Sequence, residues 1–227
     1  MKPMSRNERR AQIWRRTFDV SAASTGLLVT LPVQLAVAVS IRMIDGPPVI
    51  YRGLRVGQNG KPFQILKFRT MVMSAETTGS VTTASDDRLT KSGSALRRWK
   101  LDELPQLWNV VRGDMGIVGP RPEVAEYVAQ YDADVRAVLL SVRPGLTDPA
   151  SIAFRSEAEL LDGREDVEDY YLSTIMPVKN RMSADYTMRR TLVSDVLTVL
   201  RTIVAVFGFG TQTRARASLQ TYHELSR

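Results

Sequence analysis

Val20 to Ile41 reads VSAASTGLLVTLPVQLAVAVSI, 22 residues without a charged side chain. An α-helix of that length is what the ~30 Å hydrocarbon core of a bilayer requires. A secretory signal has a shorter apolar region and a small-residue cleavage site, and Arg42-Met43-Ile44-Asp45 does not have that form. Pro32 lies near the middle. It removes one backbone hydrogen bond and clashes with the preceding turn, so a bend is expected there and each arm becomes too short to cross alone. Three forms fit the stretch: a re-entrant helix-break-helix, a tilted single span and a buried core helix. Flanking charge separates the first two. Lys2, Arg6, Arg9, Arg10, Arg15 and Arg16 precede the segment, and Arg42, Arg52, Arg55, Lys61, Lys67 and Arg69 follow it. Both ends then favour the same, cytoplasmic face, which a re-entrant helix satisfies and a straight span does not. Thr30 and Gln34 are placed to meet backbone groups freed at the bend.

Outward from this segment the pattern changes period. Ile50 to Phe68 alternates apolar and polar residues on both sides of Gln58-Asn59-Gly60, which predicts a β-hairpin burying Phe63, Ile65 and Phe68. Residues 72–91 are rich in Ser, Thr and Asp and read as a long loop, a candidate lid. Short helices are expected over 94–100 and 105–111, the second ended by Gly113. GIVGPRPE and RPGLTDP read as Pro-punctuated coil and turn. Longer helices are expected over 124–141, 157–171 and 181–207. The divisions expected are 1–45, a basic start and membrane helix; 46–207, a catalytic domain; and 208–227, a polar tail.

Composition narrows the chemistry. A net charge of +7 points to anionic partners. There is no cysteine, and the single histidine, His223, lies in the tail. Thiolate chemistry is thereby excluded, and a lone tail histidine argues against Ser-His-Asp catalysis and His-rich metal sites, which points to carboxylates, Lys, Arg, Tyr or an oxygen-bound cation. LDELPQLWN, Leu101 to Asn109, sets two adjacent carboxylates before a proline. Asp102 suits helix capping as well as catalysis. Neighbours on a helix point about 100° apart, so Asp102 and Glu103 must take different roles if both act. Lys67 and Arg69 in LKFRTM, Arg97 and Arg98 in LRRWK, and Arg121 in GPRPE come from three further segments. Prolines on both sides of Arg121 restrict its backbone. Arg forks and Lys charges beside a carboxylate pair suit a diphosphate held through Mg²⁺ and cationic clamps.

RRTFD, LKFRTM, LRRWKLDELPQLWNVVRGDM, VGPRPE and VRPGLT, in that order, resemble the bacterial sugar transferases of the small monotopic polyprenyl-phosphate phosphoglycosyl transferase family. The resemblance implies a mostly α fold with a small β-hairpin: a monotopic membrane protein with a re-entrant N-terminal helix and interfacial amphipathic helices. It implies residence in the bacterial inner membrane with the active site on the cytoplasmic face. It also implies transfer of a phospho-sugar from a nucleotide diphosphate sugar, usually UDP-linked, to polyprenyl phosphate. By this analogy Asp102 is a covalent nucleophile and a Mg²⁺ ligand, and Glu103 assists with a proton. Lys67, Arg97 and Arg121 hold phosphate or nucleotide, with Arg69 and Asp114 as weaker candidates. The expected partners are these two substrates and membrane lipid, not nucleic acid; the oligomeric state is left open, a homo-oligomer included. Leu31-Pro32 stands where relatives usually have Ser-Pro, and Gly116 where Ser is usual. Two other readings remain at this point: a membrane-tethered basic binding module, and an enzyme that transfers by single direct displacement.

Overall fold

The computed structural model describes residues 6–73, 83 and 86–206. Helix α1 runs from Arg6 to Ile44, 39 residues, and the helix continues through Pro32. The Thr30 hydroxyl donates to the Gly26 carbonyl at 2.6 Å and the Gln34 amide donates to Thr30 at 2.9 Å, so a side-chain relay flanks the proline. By length and composition α1 could cross a membrane, and only 11% of its most apolar window is buried in the protein. A core helix would be mostly buried. α1 is not.

β1 (Ile50–Val56) and β2 (Pro62–Phe68) pair antiparallel, Gly53 opposite Ile65, as alternation predicts. Asn59 and Gly60 close the turn with φ of 57° and 76°, the left-handed region those two residues tolerate best. Ile65 and Phe68 are both buried, but on opposite faces because they differ in parity. Ile65 joins Ala23, Leu107, Val110, Met115 and Ile117; Phe68 joins Val37, Ile41 and Leu96. Both clusters therefore cement α1 to the hairpin and to the short helices α2 (Gly93–Arg98) and α3 (Gln106–Arg112).

The Pro-punctuated segments are not coil throughout. β3 (Gly116–Val118) and β4 (Gly145–Thr147) form a second, parallel pair, a correction to the single hairpin expected. Backbone proximity explains it. A Cβ on Gly145 would lie 2.1 Å from the Gly119 nitrogen, so these two chains meet only as glycines. Turn-forming residues masked a β pairing that only distant partners reveal. The expected helix over 124–141 is instead α4 (Ala125–Ala129) and α5 (Ala133–Leu140). After β4 come α6 (Pro149–Ala153), α7 (Glu157–Leu161) and α8 (Val167–Tyr170), Gly163 in the left-handed region interrupting the helix expected over 157–171. α8 continues through a π turn into α9 (Met176–Arg189), and α10 covers Leu192–Val206. The single helix expected over 181–207 breaks at extended Arg190, where Thr191 and Ser194 exchange side-chain and backbone bonds that cap α10. Tyr127, Phe154, Leu161, Tyr171, Ile175 and Met176 form the core beneath these helices. Much of the candidate lid, 74–82 and 84–85, and the tail from 207 lie outside the described residues.

Candidate active site

Asp102 lies in a 3₁₀ turn, Leu101–Glu103, entered through Lys100 at φ 56°, ψ 22°. A left-handed lysine is uncommon and strained. It turns the chain so that α2 and α3 meet at an angle with the carboxylate pair in the corner. Asp102 caps neither the turn nor α3, whose N-terminal neighbour is Pro105. Its side chain is only 4% exposed as part of the residue, and Oδ1 has no hydrogen-bond partner among the described residues. A buried, unsatisfied carboxylate oxygen is costly and requires an explanation.

Glu103 is the opposite case. Its Oε1 accepts from Arg121 Nη2 at 2.9 Å and from Lys67 Nζ at 3.4 Å. Lys67 comes from β2 and Arg121 from the segment following β3, so three separated pieces of chain converge on one oxygen. Burial by itself would raise the Glu103 carboxyl, yet Arg121 and Lys67, with Lys100, hold it well below the usual range. Asp102 goes the other way: burial first and then the Glu103 charge raise it, against Lys67, Lys100 and Arg97. Burial likewise lowers Lys67 and Arg97, each pressed by neighbouring cations and eased by the two acids. The carboxyls thus have divergent environments, the pattern that divides roles within a catalytic pair.

Arg69, expected as a weaker phosphate-binding candidate, is held by backbone carbonyls in this structure. Its guanidinium donates to the carbonyls of Pro48, Asp45 and Gly46 at 2.8, 2.8 and 2.6 Å, locking the end of α1 to the hairpin. It stands two positions past Lys67, so alternation alone would put both side chains on one face; the carbonyls that claim Arg69 lie over twenty residues upstream. Asp114 is also engaged, accepting from Asn109 at 3.2 Å and lying 3.5 Å from Arg112.

Two supports escaped the sequence reading. Asn109 is fully buried; its Oδ1 accepts from Leu66 N at 2.9 Å and its Nδ2 donates to Gln64 O at 2.7 Å. The side-chain amide thus pairs with the free edge of β2 as a neighbouring strand's peptide would, beside Lys67. Behind Arg121, Lys179 pairs with Glu157 at 2.6 Å and approaches the Tyr171 hydroxyl at 3.5 Å, which donates to Glu123 at 3.4 Å. These acids raise the Arg121 guanidinium further, after Glu103. The cavity there, about 30 Å³, holds a water or two and no sugar, so it is a floor beneath Arg121. A polar residue at a buried helix position was the available signal in both cases, and it does not name a partner.

Among the described residues no three His, Asp or Glu side chains gather as a metal cage. Mg²⁺ fits a different pattern, since it commonly takes one or two carboxylates and completes its shell with substrate phosphate and water. The unpartnered Asp102 oxygen suits that role. The sequence model of the family described as bacterial sugar transferase matches residues 10–209. This chain belongs to that family. Among related sugar transferases, the exopolysaccharide production protein ExoY of Rhizobium meliloti is 35% identical over 208 residues, 85% of this chain and 84% of that protein. The UDP-glucose:undecaprenyl-phosphate glucose-1-phosphate transferase of Escherichia coli is 38% identical over 168 residues, 72% of this chain and 36% of the relative. The UDP-N-acetylgalactosamine-undecaprenyl-phosphate N-acetylgalactosaminephosphotransferase of Aeromonas hydrophila is 34% identical over 201 residues, 86% of this chain and 44% of the relative. The chain therefore spans less than half the length of the last two sugar transferases.

Proposed function

We propose that this protein transfers a sugar-phosphate from a UDP-sugar to polyprenyl phosphate, releasing UMP, through a covalent intermediate on Asp102. The buried Asp102 carboxylate, its Oδ1 without a hydrogen bond among the described residues and set beside cations gathered by Glu103, carries the reading. An anion-binding module gains nothing from a buried free carboxylate, which repels its ligand. A nucleophile needs one.

In the first step an Asp102 oxygen attacks the sugar-bearing phosphorus. An O–P bond forms, the bond from that phosphorus to the bridging oxygen breaks, and UMP leaves with the electron pair. In the second step a polyprenyl phosphate oxygen attacks the same phosphorus, the aspartyl bond breaks, and the carboxylate returns as polyprenyl-diphosphate-sugar departs. Lys67, Arg97 and Arg121 offset the charge on the two phosphates. Glu103, held ionised by Arg121 and Lys67, is a weak base at rest. As the diphosphate claims those cations, Glu103 recovers basicity and takes the proton of the incoming phosphate. Asp102 would hold Mg²⁺, which would add to the neutralisation of the diphosphate.

The membrane geometry belongs to the same proposal: the protein is monotopic, α1 enters and leaves one face, and that face is the cytoplasmic side of a bacterial inner membrane. Both ends of α1 are tied to one folded domain. Arg15 pairs with Asp195 at 3.4 Å and Arg16 donates to Val110 and Val111 carbonyls at 2.6 and 2.8 Å, while Arg69 grips the far end at Asp45 and Gly46. At 1.5 Å per residue these attachments stand about 40 Å apart along the helix, more than the hydrocarbon core. A straight crossing would place the domain on both sides of the bilayer. The relatives' names supply the nucleotide and lipid classes. Mass spectrometry of protein treated with UDP-sugar, without acceptor, should find a sugar-phosphate adduct on Asp102; UMP release should stop in Asp102→Asn and in EDTA. Normal turnover with no adduct at any time would establish direct displacement instead.

A further inference from the structure

Gln106, 2% exposed, has a buried Nε2 that makes no hydrogen bond among the described residues. Gln106 follows Glu103 by three positions and Asp102 by four. The backbone between them is helical, with amides bonding three residues back: Leu104 to Leu101 at 3.2 Å and Leu107 to Leu104 at 3.1 Å. Residues three and four apart on such a chain share a face. Helical side chains tilt toward the N-terminus and cover the turn before their own Cα. Gln106 therefore shares the helix face that carries Asp102 and Glu103. There an acceptor-only oxygen, Asp102 Oδ1, is also left unpaired. A donor and an acceptor orphaned within one turn, and not bonded to each other, describe a site organised for a third group.

We propose that Gln106 is a further catalytic residue. Its side-chain amide donates to a non-bridging oxygen of the phosphoryl group while that phosphorus is bonded to Asp102. The assignment rests on the reading of Asp102 as nucleophile. The phosphorus atom gains charge on its non-bridging oxygens as the aspartyl bond forms, and a preplaced donor in a buried site stabilises that charge without reorganisation. The same amide, unpaired in the resting protein, is a burden on stability. Function and stability are thus opposed at position 106, and a purely structural glutamine would not oppose them.

The test is Gln106→Met, close in volume and without a polar group, in the full chain held in lipid nanodiscs. Its readouts are the melting temperature and the kinetics of UMP release from UDP-glucose and UDP-N-acetylgalactosamine with undecaprenyl phosphate. The expected result is a melting temperature unchanged or raised by about 2–4 °C. With it, kcat falls by about 10²-fold and KM for the donor stays within about threefold. Retained kcat overturns the proposal, and so does a lowered melting temperature, because the amide would then be bonded at rest. Gln106→Leu, read in the same way, decides if the methionine variant does not fold. Asp102→Asn assayed alongside keeps the two claims apart. Turnover in that variant sinks the nucleophile, whereas an inactive Asp102→Asn beside an active Gln106→Met sinks only the role of Gln106.

Discussion

A carboxylate that attacks phosphorus must be ionised yet not committed to another partner. Asp102 meets the second condition through burial, and burial works against the first. Its raised carboxyl loses charge as pH falls through a value above the ordinary 3.8. The acid limb of kcat/KM, which reports the free enzyme, should therefore lie above the usual aspartate range. Glu103 contributes to that shift. In Glu103→Gln the neighbouring negative charge is gone, and Lys67 and Arg121 are released to act on Asp102. Both changes lower the Asp102 carboxyl, so the residual activity should have its acid limb at lower pH. A limb that moves upward would show that Asp102 is not the titrating group. The sequence exposed both carboxylates and three of the cations by type and order. It left Asp102 open between cap and nucleophile, because a cap is distinguished by which amides it meets. It grouped Arg69 with the candidate phosphate-binding cations and did not show the carbonyls that hold it, which come from a chain reversal beyond the reach of spacing.

At the level of elements, the site depends on holding a two-stranded hairpin, a 3₁₀ turn and a Pro-Arg-Pro segment in fixed relation. A two-stranded hairpin is marginal on its own. Asn109 supplies what a third strand would, by bonding Leu66 N and Gln64 O from α3. Asn109→Ala leaves both groups buried without partners and should cost about 2–4 kcal/mol of stability. Because Lys67 is the next residue on β2, turnover should fall with it. Thermal or denaturant unfolding checks this, and a loss under about 1 kcal/mol would mean that the hairpin holds itself. The hairpin was legible in the sequence from alternation and Asn-Gly. The β3–β4 pair was not, since three-residue strands carry no period and their pairing depends on two glycines, Gly119 and Gly145, that look like turn residues in isolation.

For the molecule as a whole, exposed apolar surface defines how it sits. Leu28, Val29, Leu35, Val39 and Met43 on α1 are exposed, and so are Val193, Leu197, Leu200, Ile203 and Val204 on α10. An aqueous protein rarely leaves so much apolar area uncovered. α10 meets β4 through Thr202, whose hydroxyl lies 2.7 Å from that of Thr147, and meets α9 through buried Asp195, bonded to Tyr186 at 2.7 Å; its other face turns outward. The absence of cysteine makes topology directly testable. Single cysteines at exposed Arg10 and Arg52, probed with an impermeant maleimide in oriented vesicles, should both label from the same side. Labelling from opposite sides would show a true span and overturn the monotopic reading.

The sequence by itself determined what is set by local order and residue chemistry. That covers the apolar helix, because 22 uncharged positions need no partner to be apolar; the hairpin; the carboxylate pair; and the absence of any thiol. Tertiary structure decided what depends on meeting. Three segments remote in the chain bring Lys67 and Arg121 onto Glu103 and leave Asp102 Oδ1 buried without a hydrogen-bond partner among the described residues. They divert Arg69 to the end of α1 and place Asn109 on a strand edge. Burial and pairing are properties of neighbours, and sequence spacing beyond a few turns does not carry them.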